Sequence, residues 1–179
     1  QRELQQAQRE LQKAAQDMQR ETQKEFSGAQ RELQKAQREL QRAFEQLSEA
    51  RDEEPVMHIE QRSLRALRRA GGVVWFDFKT LCGGPRSQND YLEIASRFHT
   101  VLLSHVPQMS PRLASEARRF TWLVDVLYDR RVKLILSAAV AAEQLYTEGP
   151  LAHEFPRTVS RLKEMQSAEF LALARRDVD

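Results

Sequence analysis

Apolar side chains recur at helical spacing along the first fifty residues, with Gln, Arg, Glu and Lys filling the positions between them. Leu4, Leu11 and Met18 run at heptad spacing; the phase then slips by one residue to Phe26, Leu33, Leu40 and Leu47. The segment AQRELQKA stands at Ala7–Ala14 and again at Ala29–Ala36, a spacing of 22 residues, or two elevens. A one-residue skip between heptad blocks brings the period to roughly 3.67, which relaxes or reverses a left-handed supercoil. No Pro and a single Gly, Gly28, interrupt the pattern, which predicts one long helix over Gln1–Ala50. Because its stripe alternates Leu with Ala, the helix is expected to seek a helical partner or to self-associate through residues 1–50. A solvated single helix is the alternative. No aromatic face opposes a basic one, which argues against binding at a membrane surface.

The periodicity is lost in SEARDEEP, Ser48–Pro55, where acidic residues gather and Pro55 stops the helix. Residues 51–55 therefore read as a linker and residues 56–179 as a second region. There the pattern changes to short β-branched runs separated by helical segments. Val56–Ile59 reads as a short strand and Gln61–Arg69 as a basic helical turn or loop closed by Gly71-Gly72. Val73–Phe78 is a strand, and Ser87 or Asn89 caps a helix through Phe98. Thr100–His105 is a buried strand stopped by Pro107, and Ser110 or Ser115 opens a long helix to about Arg130. Val132–Ala138 is a third strand, followed by helical segments at Ala141–Tyr146 and about Thr158–Arg175. Strands alternating with helices predict an α/β fold with a partial, mainly parallel sheet and flanking helices, preceded by the long helix. Three strands with exposed edges would make an incomplete core.

Charge narrows the picture. The chain carries 28 Lys+Arg against 26 Asp+Glu. Residues 1–54 hold 10 basic and 12 acidic side chains, leaving 18 against 14 in the rest. A dedicated nucleic-acid binder would concentrate basic charge far more strongly. The single Cys82 excludes an intramolecular disulfide and a thiolate zinc cluster, and suits a reducing compartment. His58, His99, His105 and His153 show no short metal-ligand spacing, so no metal site is expected. No apolar run approaches the ~18 residues of a membrane span, and no secretory signal is visible, so the cytoplasm is the expected location.

Three segments then carry a resemblance: WFDFKTLCGGPRSQNDYLEIASRFHTVLLSHVPQMS, ARRFTWLVDVLYDRRVKLILSA and EFPRTVSRLKEMQS. Together, over about Met57–Leu171, they resemble the C-terminal portion of the ZapE-like bacterial cell-division ATPases of the AAA+ class. Mitochondrial ATPases of the lactation-elevated-protein type are more distant relatives. The resemblance implies an incomplete AAA+-like core, ATP hydrolysis with Mg²⁺, remodelling of the FtsZ division ring, and a place at the division site or inner-membrane periphery. Yet no G-x-x-x-x-G-K-[ST] phosphate loop occurs in the sequence, nor a Walker-type acidic pair. The chain alone is therefore expected to be inactive; the alternative is a non-enzymatic protein-interaction module with a helical docking arm.

Candidate residues follow from position and type. Ser137 stands at a strand end where a polar side chain would sense a γ-phosphate, and the competing reading is local satisfaction of the turn backbone. Arg157 and Arg161, in FPRTVSRLKEM, are candidates for stabilising charge on a transferring phosphoryl group; Arg161 pairing with Glu164 along the helix is the competing reading. Arg118, Arg119, Asp90 and Asp125 are structural or interaction candidates, with Arg119–Asp90 or Arg118–Asp125 as conceivable pairs. Gly83-Gly84-Pro85-Arg86 reads as a tight turn. Cys82 next to His99 or His105 carries no mark of an activated nucleophile, and reads as a small buried side chain.

Overall fold

The computed structural model describes residues 2–176; Gln1 and the last three residues lie outside this range. The chain forms two compact units, one through Glu39 and one from Leu40 onward. Helix α1 runs Arg2–Leu47, as its Pro-free sequence demands. In the first unit the stripe is solvent-facing: Leu11, Met18, Phe26 and Leu33 are all exposed.

The second unit begins with the last turns of α1. A hairpin follows, β1 (Val56–Ile59) paired antiparallel with β2 (Arg62–Arg65). Its two-residue turn puts Glu60 at φ 47° and Gln61 at φ 60°, the left-handed pair that such a tight connection requires. Strand β3 (Arg68–Ala70) then pairs antiparallel with β4 (Val73–Asp77). These strands replace the helical turn or loop expected over Gln61–Arg69. The reason is alternation: Leu64 and Ala66 are buried while Arg62, Ser63 and Arg65 between and beside them face solvent. Between β3 and β4, Gly71 and Gly72 sit at φ 54° and 83°. A Cβ on Gly72 would also run into the His99 ring.

The larger sheet has the order β3-β4-β5-β6, with β5 spanning Thr100–Val106 and β6 Lys133–Ala138. The β4–β5 and β5–β6 pairs are parallel, as expected, and β3 adds an antiparallel edge. Helices α2 (Phe78–Cys82) and α3 (Gln88–Arg97) connect β4 to β5, and α4 (Ala114–Asp129) connects β5 to β6. The expected strand Val73–Phe78 stops early because Asp77 caps α2, accepting a bond from the Lys79 N–H at 3.0 Å. Ala141–Tyr146 holds only a 3₁₀ turn, Ala142–Gln144. The expected last helix is broken into α5 (Phe155–Glu164) and α6 (Ala168–Ala172). Ser167 starts α6 by accepting from the Phe170 N–H.

Each face of the sheet has its own core. One is packed by α2 to α6 and the β1–β2 hairpin, with Phe120 fully buried and its ring centroid within 6.4 Å of both Phe78 and Phe155. The other is smaller: Ala70, Val73, Trp75 and Leu102 meet Leu40 and Phe44 from the last turns of α1. The C-terminal end of α1 thus lids the second face, while β6 is an edge strand of half-buried residues.

Candidate functional site

The three parallel strands end side by side, and ligands of parallel sheets bind beyond such ends. Asp77 closes β4, His105 lies near the end of β5, and Ser137 near the end of β6. The Asp77 carboxylate uses one oxygen to cap α2 and places the other 2.7 Å from His105 Nδ1. That contact sets Nδ1 as the protonated nitrogen and leaves Nε2 without a partner among the described residues. The backbone N–H of His105 donates to Ser137 Oγ at 3.1 Å, so the serine keeps its own O–H to donate. His105 is held at φ +62°, beside a register shift between Leu103 and Val106. A bulge of this kind re-aims a side chain at a strand end, and a non-glycine residue there stores about 1–3 kcal/mol of strain.

The sequence identified Ser137 in this row but not Asp77 or His105 as its neighbours. Register 32 residues apart is invisible in a linear pattern; the only local signal was Asp77 followed by a short apolar run, an N-cap in a strand context. Cys82 takes no part. It is fully buried at the end of α2, and burial pushes its thiol up to about 12, which leaves it protonated and inert.

The arginine candidates separate sharply. Arg161 is clamped between α5 and α4: it bonds Asp125, lies 3.5 Å from Asp129, and stacks its guanidinium 4.7 Å from the Tyr128 ring centroid. Its partners are thus on α4, not Glu164 on its own helix. Arg118 bonds Glu154 at 2.6 Å, and Arg119 donates to the Cys82 carbonyl and lies 3.7 Å from Glu116. Neither pair conceived from sequence, Arg119–Asp90 or Arg118–Asp125, is among these contacts. Arg157 differs: it is exposed in the first turn of α5, and its guanidinium has no hydrogen bond or ion pair among the described residues. Arg161→Ala is therefore expected to cost about 1–3 kcal/mol, because it strands the half-buried Asp125. Arg157→Ala should stay within ~0.5 kcal/mol, as exposed substitutions do. Thermal unfolding of the two variants reads the difference.

Asp90 is the buried charge of the unit, 0% exposed at the start of α3. Both its oxygens lie 2.6 Å from Arg62, Arg86 is 3.6 Å away, and the Ser87 N–H and O–H both donate to it, the N–H bond being its half of the capping box that opens α3. Several backbone groups of the glycine-rich turn beside it are already used within the fold. The Gly83 N–H is spent on the Lys79 carbonyl, Pro85 has none, and the Ser87 N–H is taken by Asp90. Its carbonyl at Pro85 instead accepts from Arg62. No three or more His, Cys, Asp or Glu side chains gather to hold a metal among the described residues.

The sequence profile of the AFG1-like ATPases matches residues 6–174. That interval begins inside α1, well upstream of the Met57 at which the sequence resemblance starts. Cell division protein ZapE of Escherichia coli K12 is 44% identical over 121 residues, covering 68% of this chain and 32% of that protein. An uncharacterized protein of Schizosaccharomyces pombe is 36% identical over 104 residues, 55% of this chain and 23% of its own. Lactation elevated protein 1 homolog B of Danio rerio is 29% identical over 147 residues, 64% of this chain and 29% of its own. The chain spans about a third or less of the length of these curated relatives. No solved structure gives a significant match.

Proposed function

We propose that this chain, which belongs to the AFG1-like ATPase family, is the C-terminal part of a ZapE-like AAA+ ATPase that couples ATP hydrolysis to remodelling of the FtsZ ring. On this reading ATP and Mg²⁺ are held by residues that this sequence does not contain, and the chain is inactive alone. Its contribution is an arginine offered from outside to a nucleotide site. The observation that carries this is the contrast on α5: Arg161 fastens the helix to α4, while the exposed Arg157, unpaired among the described residues, is placed to reach a phosphoryl group. Arg161 is then a positioning residue. Ser137, with a hydroxyl proton free to donate, is the second group suited to an anionic oxygen. The reading places the protein in the cytoplasm, at the division site or the inner-membrane periphery. No helix among the described residues is long and apolar enough to cross a membrane.

Calorimetric titration of the purified chain with ATP and Mg²⁺, with phosphate release followed in parallel, tests the first half. Neither binding nor turnover is expected, and turnover by the chain alone would overturn the reading. The second half is tested by grafting the chain in place of the matched segment of the Escherichia coli relative. There Arg157→Ala should lower phosphate release at least tenfold without changing thermal stability, and Arg157→Lys should not restore it. Unchanged turnover in the Arg157→Ala graft would remove the arginine from the reaction.

A second reading, a non-enzymatic interaction module with a helical docking arm, is favoured by one observation. The exposed stripe of Leu11, Met18, Phe26 and Leu33 is suited to a helical partner, whatever the body does.

A further inference from the structure

The first unit repeats more strictly than its apolar residues show. QRELQK, QRETQK and QRELQK begin at Gln8, Gln19 and Gln30, an eleven-residue period. With three helical turns per eleven residues, Ala7, Leu11, Ala15, Met18, Thr22, Phe26, Ala29 and Leu33 fall on one straight stripe. Leu11, Met18, Phe26 and Leu33 are 77%, 66%, 64% and 53% exposed, an apolar row that nothing in the first unit covers among the described residues. Thr22 turns its hydroxyl back to the Met18 carbonyl at 2.9 Å, which leaves its methyl on the stripe. Ala15, Met18, Thr22 and Phe26 line a shallow groove bordered by Gln19 and Gln23, a socket for a side chain from another helix.

The two borders of the stripe differ. Gln8, Gln19 and Gln30, with Gln12, Gln23 and Gln34, follow one side; Glu10, Glu21 and Glu32 follow the other. In a parallel pair of identical helices, opposite borders meet, so each Glu column faces a Gln column. In an antiparallel pair, like borders meet, which sets Glu10 against Glu32 and Glu21 against its own copy. The repulsion argues against that arrangement. Covering the stripe in two copies removes on the order of 1,000 Å² of surface, the lower range of specific interfaces.

We infer that residues 7–37 form a parallel, in-register two-stranded coil with a second copy of this chain, straight or slightly right-handed because of its eleven-residue period. The inference rests on the reading of the arm as a self-associating helix, and specifies its partner, direction and register. Pairing ends near Gln37, because Leu40 and Phe44, next on the stripe, are buried in the second unit.

Sedimentation equilibrium of the full chain without nucleotide should show a monomer–dimer equilibrium that Phe26→Glu weakens at least tenfold. Gly28→Ala, where a methyl would meet nothing within 4 Å, should preserve or tighten it by favouring the helix. Ala15→Cys should form a disulfide with its own copy under mild oxidation, since the native Cys82 is fully buried. A monomer at all concentrations, or a trimer or larger, would overturn the inference. So would crosslinking only between mixed Ala15→Cys and Ala29→Cys chains, which marks an antiparallel pair. None of these readouts involves nucleotide, so failure here leaves the ATPase reading standing, and failure of the Arg157 test leaves the coil standing.

Discussion

Replacing Phe44 with alanine is expected to destabilise the second unit by about 3–5 kcal/mol, the cost of emptying a buried aromatic site. Phe44 belongs to α1 by sequence but to the sheet by packing. It is fully buried, its ring centroid lies 6.3 Å from that of Trp75, and the Arg68 guanidinium sits 4.4 Å above its ring. Around it stand Leu40, Val73 and Leu102, which would border the vacated volume and lose their contacts with it. Urea unfolding followed by tryptophan fluorescence measures the loss, since Trp75 reports directly on this face. A change below ~1 kcal/mol would mean that the end of α1 does not belong to the folded body. A chain cut after residue 50 should be destabilised at least as much as Phe44→Ala, because it removes Leu40 along with Phe44.

Asp90→Asn is expected to cost about 3 kcal/mol, at the lower end for a broken buried pair because Arg62 is 44% exposed and resolvates when released. Arg86 has no such escape: its side chain is 12% exposed and its Nε is already without a partner. The substitution also weakens the capping box at the start of α3. Its pH signature is specific. Burial alone would push the Asp90 carboxyl up, but hydrogen bonds from the Ser87 N–H and hydroxyl, with the Arg62 guanidinium beside it, hold it below its ordinary 3.8. The folded carboxyl therefore gives up its proton more readily than the unfolded one. Its stabilisation is complete above the ordinary value and is lost as pH falls through 3.8 towards the lower folded value. Unfolding measured from pH 7 down to pH 2.5 should show a drop below pH 4 in the parent that is shallower in Asp90→Asn. Equal acid slopes for the two proteins would refute the assignment.

How far the sequence reached is clearest residue by residue. Alternation and apolar runs placed β4, β5 and β6 within one or two residues, because a buried parallel strand must be apolar along its length. The same reasoning misread Gln61–Arg69. Four arginines crowd residues 61–69, and their charge hid the alternation of Leu64 and Ala66 that makes strands there. It also ran the β4 strand one residue too far, since Asp77 as a helix cap competes with Asp77 as a strand residue.

The long helix, the α/β alternation and the parallel core were legible in the chain alone, because each follows from a local period of 3.6 or 2 along consecutive residues. The family resemblance was legible too, because it rests on the order of side chains. Everything that depends on which distant residues become neighbours had to wait for the fold. The Asp77–His105–Ser137 row exists only because three strands align with a bulge at His105. Arg161 and Arg157 look equivalent four residues apart, yet the packing of α5 on α4 turns one towards Asp125 and leaves the other in solvent. Leu40 and Phe44 continue the same stripe as Leu11 and Phe26, and a stripe carries no mark of where its partner is. The exposed faces of a sheet and a helix are matched by burial in three dimensions, a condition that no one-dimensional period encodes.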